Sequence, residues 1–170
     1  MDYVQPKRKT KVVFVQLGSP SEPTTKALRK YLRKFLGDPR VVDINPWLWK
    51  IILNFFVLPF RPRKSAKLYA RIWDGKSFPL ITNTRDFTNN VSEELKKIDP
   101  EGYVEVNHAF LLSPPYVNEV YDSWEEDLKK GIGATKLLVI PMFPQYSEST
   151  IASGIDALAK ELSKRVKIPT

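Results

Sequence analysis

The sequence predicts an α/β fold, a Rossmann-like, three-layer αβα lobe built on a parallel sheet. Three near-continuous apolar runs support this prediction, at residues 11–17, 103–112 and 136–142. The first and third are typical of strands buried on both faces of such a sheet, and the second indicates another strand. Helical spacing between the runs implies right-handed crossovers. We therefore expect residues 1–170 to form a single lobe.

The helices are expected in the stretches between and after these runs. Thr24 or Thr25 can cap the first helix, and Gly37 and Pro39 stop it. The later helices are predicted at residues 46–58, 65–73, 80–97, 116–130 and 149–165. The last residues, 166–170, indicate the approach to a fourth strand, so we expect the lobe to be truncated before that strand.

Composition places limits on the function. The chain has 170 residues, enough to bury a core, and it has no cysteine, which excludes disulfides and thiolate-held metal centres. Absence of cysteine also fits a reducing compartment. The longest apolar run, residues 51–60, is too short to span a bilayer, and residues 1–10 lack the apolar part of a signal peptide. We expect a cytoplasmic protein.

The formal net charge of +8 raises the question of an anionic partner. Nucleic acid, a lipid surface and acidic small molecules are the candidate classes. No nucleic-acid motif occurs, and basic residues are not interleaved with aromatic ones along one element, so we expect no nucleic acid. A solvated surface accounts for most of the lysines.

The most informative segment joins an apolar helix to a basic corner. Residues 46–58 hold ten apolar residues in thirteen, and Arg61, Arg63, Lys64 and Lys67 follow closely. This combination suits a flat apolar ligand that carries carboxylates. Composition alone leaves a second interpretation open, which is a buried core helix followed by a solvated turn.

A ligand site is expected beyond the carboxyl ends of the strands, where open α/β sheets bind their ligands. Those ends lead into residues 17–20, 111–114 and 143–150, three loops rich in small or hydroxyl side chains. Neither a G-x-G-x-x-G nor a P-loop pattern is present, which disfavours a nucleotide phosphate. The single histidine, His108, is predicted to be packed in mid-strand, so no histidine cluster can hold a metal. No complete catalytic set is visible.

Four segments converge on one family. They are residues 14–20, 31–42, 58–69 and 144–150, and the similarity runs over nearly the whole chain in the expected order. Together they resemble the N-terminal half of ferrochelatases, enzymes that insert ferrous iron into a porphyrin at the end of haem synthesis. The resemblance implies a chelatase-like lobe, one of two that enclose a porphyrin cleft, with the apolar helix as a lip near the membrane.

The resemblance also implies roles for individual residues. Leu17 would face the porphyrin plane, and Arg61 would meet a porphyrin carboxylate, a task that suits its bidentate fork. The implied porphyrin-binding set is Leu17, Ser19, Arg61, Tyr69, Ser77, Gln145, Tyr146, Ser147 and Ser149, with Thr150 beside them. The implied lip, which touches lipid and porphyrin, is Trp47, Trp49, Ile52, Phe55 and Phe56.

Departures from the family pattern carry information as well. The family's catalytic histidine and the acidic residue facing it belong to a second half, so we expect no catalytic residue and no metal ligand in these residues. Leu111 replaces an arginine common in the family, and Phe78 separates Ser77 from Pro79. Glu148 stands where some members have a cluster-ligating cysteine, so we expect no iron–sulfur cluster and no other cofactor.

The sequence-based hypothesis is therefore the porphyrin-binding half of a ferrochelatase, a lyase, that is inactive on its own. Porphyrin and ferrous iron are the implied substrates, and a C-terminal lobe in cis or in trans is the implied partner. Two alternatives stay open. One is a non-catalytic porphyrin-binding or scaffold lobe. The other is a peripheral membrane-binding module at the inner membrane face, favoured by the aromatic helix and the positive charge.

Overall fold

A computed structural model describes residues 9–164 and contains a parallel sheet. Its strands are β1 (Thr10–Gln16), β2 (Val104–Phe110) and β3 (Lys136–Pro141), in the spatial order β2-β1-β3. Both pairings with β1 are parallel. The predicted α/β fold is thus confirmed. The predicted approach to a fourth strand, at residues 166–170, lies outside the described residues.

Helices fill the connections between these strands. Within residues 9–164 the α-helices are α1 (Thr25–Leu36), α2 (Pro46–Ile52), α3 (Arg61–Tyr69), α4 (Pro79–Ile98), α5 (Val117–Lys129) and α6 (Ser153–Ser163). A π-helical turn, Leu53–Val57, continues α2, and another, Glu148–Ala152, leads into α6. A short 3₁₀ turn, Ala70–Ile72, follows α3.

Local capping explains where the first two helices begin. Of the two predicted candidates, Thr24 is the cap, and its hydroxyl accepts a hydrogen bond from the Ala27 N–H at 3.2 Å. The Asn45 side chain caps α2 in the same way, accepting a hydrogen bond from the Trp47 N–H at 3.1 Å. Pro46, the first residue of α2, has no backbone N–H that would need an acceptor. The start of the apolar helix is therefore fixed by Asn45 just outside it and by Pro46 at its first position.

The two faces of the sheet are covered by different helices. Val13 and Val15 of β1 pack into one core cluster with Tyr121 and Trp124 of α5, and Leu158 of α6 packs against that cluster. On the opposite face, the ring of Phe14 meets Phe87 of α4 edge-to-face, with centroids 5.1 Å apart. Alternate residues of β1 thus serve opposite faces, which gives the predicted three layers and confirms that β1 is buried on both.

The prediction that β3 is buried is wrong. Its residues are exposed or half-buried, none is buried, and Leu138 keeps 50% of its surface accessible. The reason is position, because β3 lies at the edge of the described sheet, where only β1 flanks it. The apolar run alone did not reveal that this strand would lie at an edge of the described sheet, where fewer elements cover it.

Two helix boundaries also differ from prediction. The helix expected to begin at Ser65 begins at Arg61, so the basic corner is helical and not a solvated turn. Pro62, in the first turn, accounts for the earlier start because its fixed φ favours helix initiation. The final helix begins through the π-helical turn at Glu148 and not as a regular helix at Ser149.

His108 makes the stability of the fold depend on pH. It is half-buried on β2, with its ring 5.5 Å from that of Phe110. Burial, with a smaller contribution from the charge of Arg85, lowers its pKa below the ordinary 6.5. The unfolded chain then binds the proton more readily than the folded one. We therefore expect the free energy of unfolding to fall as the pH drops from about 6.5 through the folded-state pKa.

An NMR titration of this single histidine measures that pKa directly. Urea unfolding at pH 7.5 and at pH 5.5 measures the stability, and His108→Gln should make the difference between the two smaller. A folded-state pKa at or above 6.5, or an unchanged pH dependence in the variant, would contradict the prediction.

Candidate functional site

The carboxyl ends of β1 and β2 meet as the sequence predicts. Leu112 N–H donates to the Leu17 carbonyl at 3.0 Å, and Ser19 N–H donates to the Ser113 hydroxyl at 3.3 Å. Gly18 turns the chain between them with φ +92°, a conformation that side chains rarely adopt. Ser19 and Ser113 are both buried. The two strand-end loops are therefore held together by hydrogen bonds.

Two adjoining hollows share these strand-end loops. One, of about 130 Å³, lies between the loops and α1 and has Lys30 and Lys34 in its lining. The other, of about 150 Å³, is closed by residues of the loop that precedes α4, including Lys76 and Ser77. Ser19 lines both, so the structure brings two of the predicted residues, Ser19 and Ser77, to one hollow.

Tyr69, at the end of α3, connects that helix to the strand ends. Its ring lies edge-to-face with Phe78, at 5.4 Å between centroids, and with Tyr31, at 6.3 Å. Tyr31 in turn donates a hydrogen bond to the Gly18 carbonyl at 3.3 Å. Burial, and secondarily Tyr69, raise the pKa of Tyr31, so its hydroxyl stays protonated and acts as a donor.

The loop after β3 forms a third wall. Met142 N–H donates to the Val15 carbonyl at 2.8 Å, and the Gln16 side chain donates to the Met142 carbonyl at 2.9 Å. Further along, the Ser147 hydroxyl lies 2.5 Å from that of Thr150. Of the predicted residues here, Gln145 and Tyr146 are exposed, and Ser147, Ser149 and Thr150 are half-buried.

The apolar helix is not a buried core helix. Several large side chains of the helix, and Phe60 shortly after it, project into solvent. Together we call them the aromatic segment: Trp47 (74% exposed), Phe55 (70%), Phe56 (66%) and Phe60 (68%). Leu53 and Leu58 face inward, into a cluster with Tyr31 and Leu32 of α1. No helix within residues 9–164 has the length and hydropathy to cross a bilayer.

Trp49 and Ile52 take intermediate positions in this segment. Both are half-buried, and the Trp49 indole N–H donates to the Leu36 carbonyl at 2.6 Å. Trp49 also lines a hollow of about 270 Å³ with Ile44 and Lys50. The lining of that hollow includes no strand-end residue, so it is separate from the two hollows at Ser19.

Arg61 lies between the aromatic segment and Tyr69 in the chain. It is exposed and begins α3, directly after Phe60 of the aromatic segment. Residues that sequence reasoning did not single out are Tyr31, Trp73 and Lys76, which line the hollows or hold them. Of these three, only Tyr31 could have been noticed in the sequence, because it places a hydroxyl among the apolar positions of α1.

The geometry defines a class of protein. An open parallel α/β sheet carries its hollows beyond the carboxyl ends of the strands, as Rossmann-like lobes do. Within the described range, no three histidine or carboxylate side chains converge into a group that could hold a metal.

A family model described as Ferrochelatase matches residues 9–170, and the chain therefore belongs to the ferrochelatase family. A ferrochelatase of Idiomarina loihiensis is 42% identical over 158 residues, which are 93% of this chain and 42% of that protein. The coproporphyrin III ferrochelatase of Streptococcus mutans is 40% identical over 162 residues, 95% of this chain and 49% of that protein. The chain thus spans less than half the length of these relatives.

Proposed function

We propose that this chain forms the porphyrin-binding half of a ferrochelatase. The observation that carries the proposal is the position of α3. Its last residue, Tyr69, contacts the side chains behind the strand-end hollow, and its first, Arg61, adjoins the aromatic segment. At 1.5 Å per residue the helix spans about 12 Å between them, which is comparable with the width of a porphyrin macrocycle. One element thus connects apolar surface, a cation and the strand ends.

The chemistry of a porphyrin matches these parts. Its ring offers a large apolar surface to aromatic side chains, and its carboxylates suit a guanidinium and hydroxyl donors such as Ser19 and Ser77. Metal insertion requires the ring to bend so that its nitrogen lone pairs meet the ferrous iron. The bending energy must come from binding contacts made elsewhere on the ring. This half supplies such contacts, and the family's second half supplies the base and the metal ligand.

A titration with coproporphyrin III, the porphyrin named for the Streptococcus relative, tests the proposal. We expect saturable binding, seen as a shift of the porphyrin absorbance and as quenching of tryptophan fluorescence. Arg61→Ala should weaken binding about tenfold or more, because a charge-assisted hydrogen bond contributes about 1.5–3 kcal/mol. Arg85→Ala, which removes an exposed arginine on α4, is the matched control and should leave the affinity unchanged. Equal affinities for both variants would count against an anchoring role for Arg61.

Activity is tested by complementation. The chain alone should insert no ferrous iron, and adding the C-terminal half of a related ferrochelatase in trans should restore insertion, followed by absorbance. Binding without insertion in the mixture would favour a non-catalytic porphyrin-binding or scaffold lobe.

A second function, peripheral membrane binding, is favoured by the exposed aromatic segment next to the cationic residues of α3. Exposed aromatics beside basic residues suit the interface of an anionic bilayer. The corresponding location is the cytoplasm, at the inner membrane face. Flotation with anionic and with neutral vesicles, in the absence of porphyrin, tests this function, and flotation with neither would reject it.

A further inference from the structure

Two side-chain contacts join the turn after α1 to the start of α6. Asp38 accepts a hydrogen bond from the Ser153 hydroxyl, and Arg40 meets Asp156 through both Nε and Nη2, the latter 3.0 Å from Oδ1. The partners are 115 and 116 positions apart in the chain. A planar guanidinium that meets both carboxylate oxygens fixes orientation as well as distance. We call these four residues the clasp.

The turn that carries the clasp is itself well organised. The Asp38 carboxylate accepts a hydrogen bond from the Arg40 backbone N–H at 2.8 Å. The backbone carbonyl of Asp38 accepts from the N–H groups of Val41 and Val42, at 3.0 and 3.2 Å. The Trp49 indole N–H donates a hydrogen bond to the carbonyl of Leu36, and Leu36 immediately precedes this turn. A displacement of the turn would therefore be transmitted through Trp49 to α2, which also carries Trp47 of the aromatic segment.

The other side of the clasp belongs to the wall after β3. Ser153 and Asp156 lie in the first turn of α6, which continues directly from the π-helical turn at Glu148. The carboxylate of Asp156, and more weakly the charges of Tyr146 and Glu148, raise the pKa of Arg40. The ion pair therefore ties the turn after α1 to the helix that continues from this wall.

We infer that Asp38 and Arg40 are positioning residues that fix the aromatic segment relative to the wall after β3. Resting on the proposed function, the inference extends to binding: the clasp raises porphyrin affinity without touching the porphyrin. A flat ring held between two walls makes its contacts best at one separation of those walls, and walls ordered in advance lose less conformational entropy on binding.

Hydrogen exchange tests the mechanical part without a ligand. In Arg40→Ala and in Asp156→Ala, the amides of Val41 and Val42 should exchange about two- to fivefold faster, which is the range expected for loss of a partly exposed ion pair. The double variant should resemble either single one, because both remove the same contact. Arg33→Ala, an exposed arginine on α1, is the matched control and should exchange like the unaltered chain.

Porphyrin titration of the same proteins tests the functional part. The dissociation constant for coproporphyrin III should rise about two- to fivefold in each clasp variant and stay unchanged in Arg33→Ala, with similar melting temperatures. Unchanged hydrogen exchange at Val41 and Val42, or additive effects in the double variant, would overturn the inference that the Arg40–Asp156 contact holds this turn in place. Faster exchange with an unchanged dissociation constant would overturn its role in binding. Failure of the unaltered chain to bind porphyrin would overturn the proposed function, whereas faster exchange in that case would still support the mechanical coupling.

Discussion

Replacing Gly18 by alanine is expected to destabilise the protein by about 2–4 kcal/mol, since it combines backbone strain with overpacking. Gly18 has φ +92°, a region that costs an L-residue energy. An added Cβ would also collide with the Ser113 hydroxyl and lie 3.0 Å from Phe110 Cβ. Phe110 is fully buried, so it cannot move aside easily.

Gly75→Ala is the matched control for this prediction. Gly75 has nearly the same φ, +95°, but a Cβ there would meet nothing within 4 Å. The control therefore reports the strain alone, of about 1 kcal/mol or slightly more. Urea unfolding of both variants separates the two contributions. If both lost the same stability, the collision at Ser113 would have no energetic consequence.

The Gly18 variant should also lose porphyrin affinity while folded. Pushing Ser113 away would break its hydrogen bond with Ser19 N–H and change the shape of both hollows at once. Gly75, although in the loop before α4, is absent from the lining of the hollow that this loop closes, so its variant should bind as the unaltered chain does.

The fold was largely predictable because strands and helices leave periodic signals. The apolar run of β1 followed by Gly18, and the Thr24 cap of α1, predicted their elements closely. Lys11 shows the limit of such signals. It stands in the apolar run yet is 3% exposed, because Glu105, opposite it on β2, lies 3.0 Å from its Nζ. Only the pairing register reveals that partner.

The site was predictable as a location but not as a set of contacts. The rule about strand ends placed Ser19 and residues 111–114 together, and the structure joins them. The approach of Ser77 to Ser19 depends on how α1, α2 and α3, which lie between these residues in the chain, pack against one another. The local spacing of residues does not encode that packing. The composition of residues 46–58 likewise did not distinguish the inward side chains from the outward ones. Tertiary packing decided both.

Replacing Phe55 and Phe56 by serine is expected to weaken porphyrin and vesicle binding strongly while leaving the fold intact. Both side chains are already mostly exposed, so their removal costs little stability. On binding, burial of such a side chain contributes about 1.5–3 kcal/mol, so each substitution should raise the dissociation constant about tenfold or more if the ligand covers it. Porphyrin titration and flotation measure the two kinds of binding separately.

Two controls make this last prediction specific. Ile98→Ser removes an equally exposed apolar side chain at the end of α4, and it should affect neither kind of binding. Leu53→Ala changes a buried residue in the same π-helical turn as Phe55, and it should instead destabilise the fold by about 2–5 kcal/mol. Loss of porphyrin binding alone would assign the aromatic segment to the macrocycle, and loss of flotation alone would assign it to lipid. Retention of both in the Phe55 and Phe56 variant would contradict any binding role for these rings.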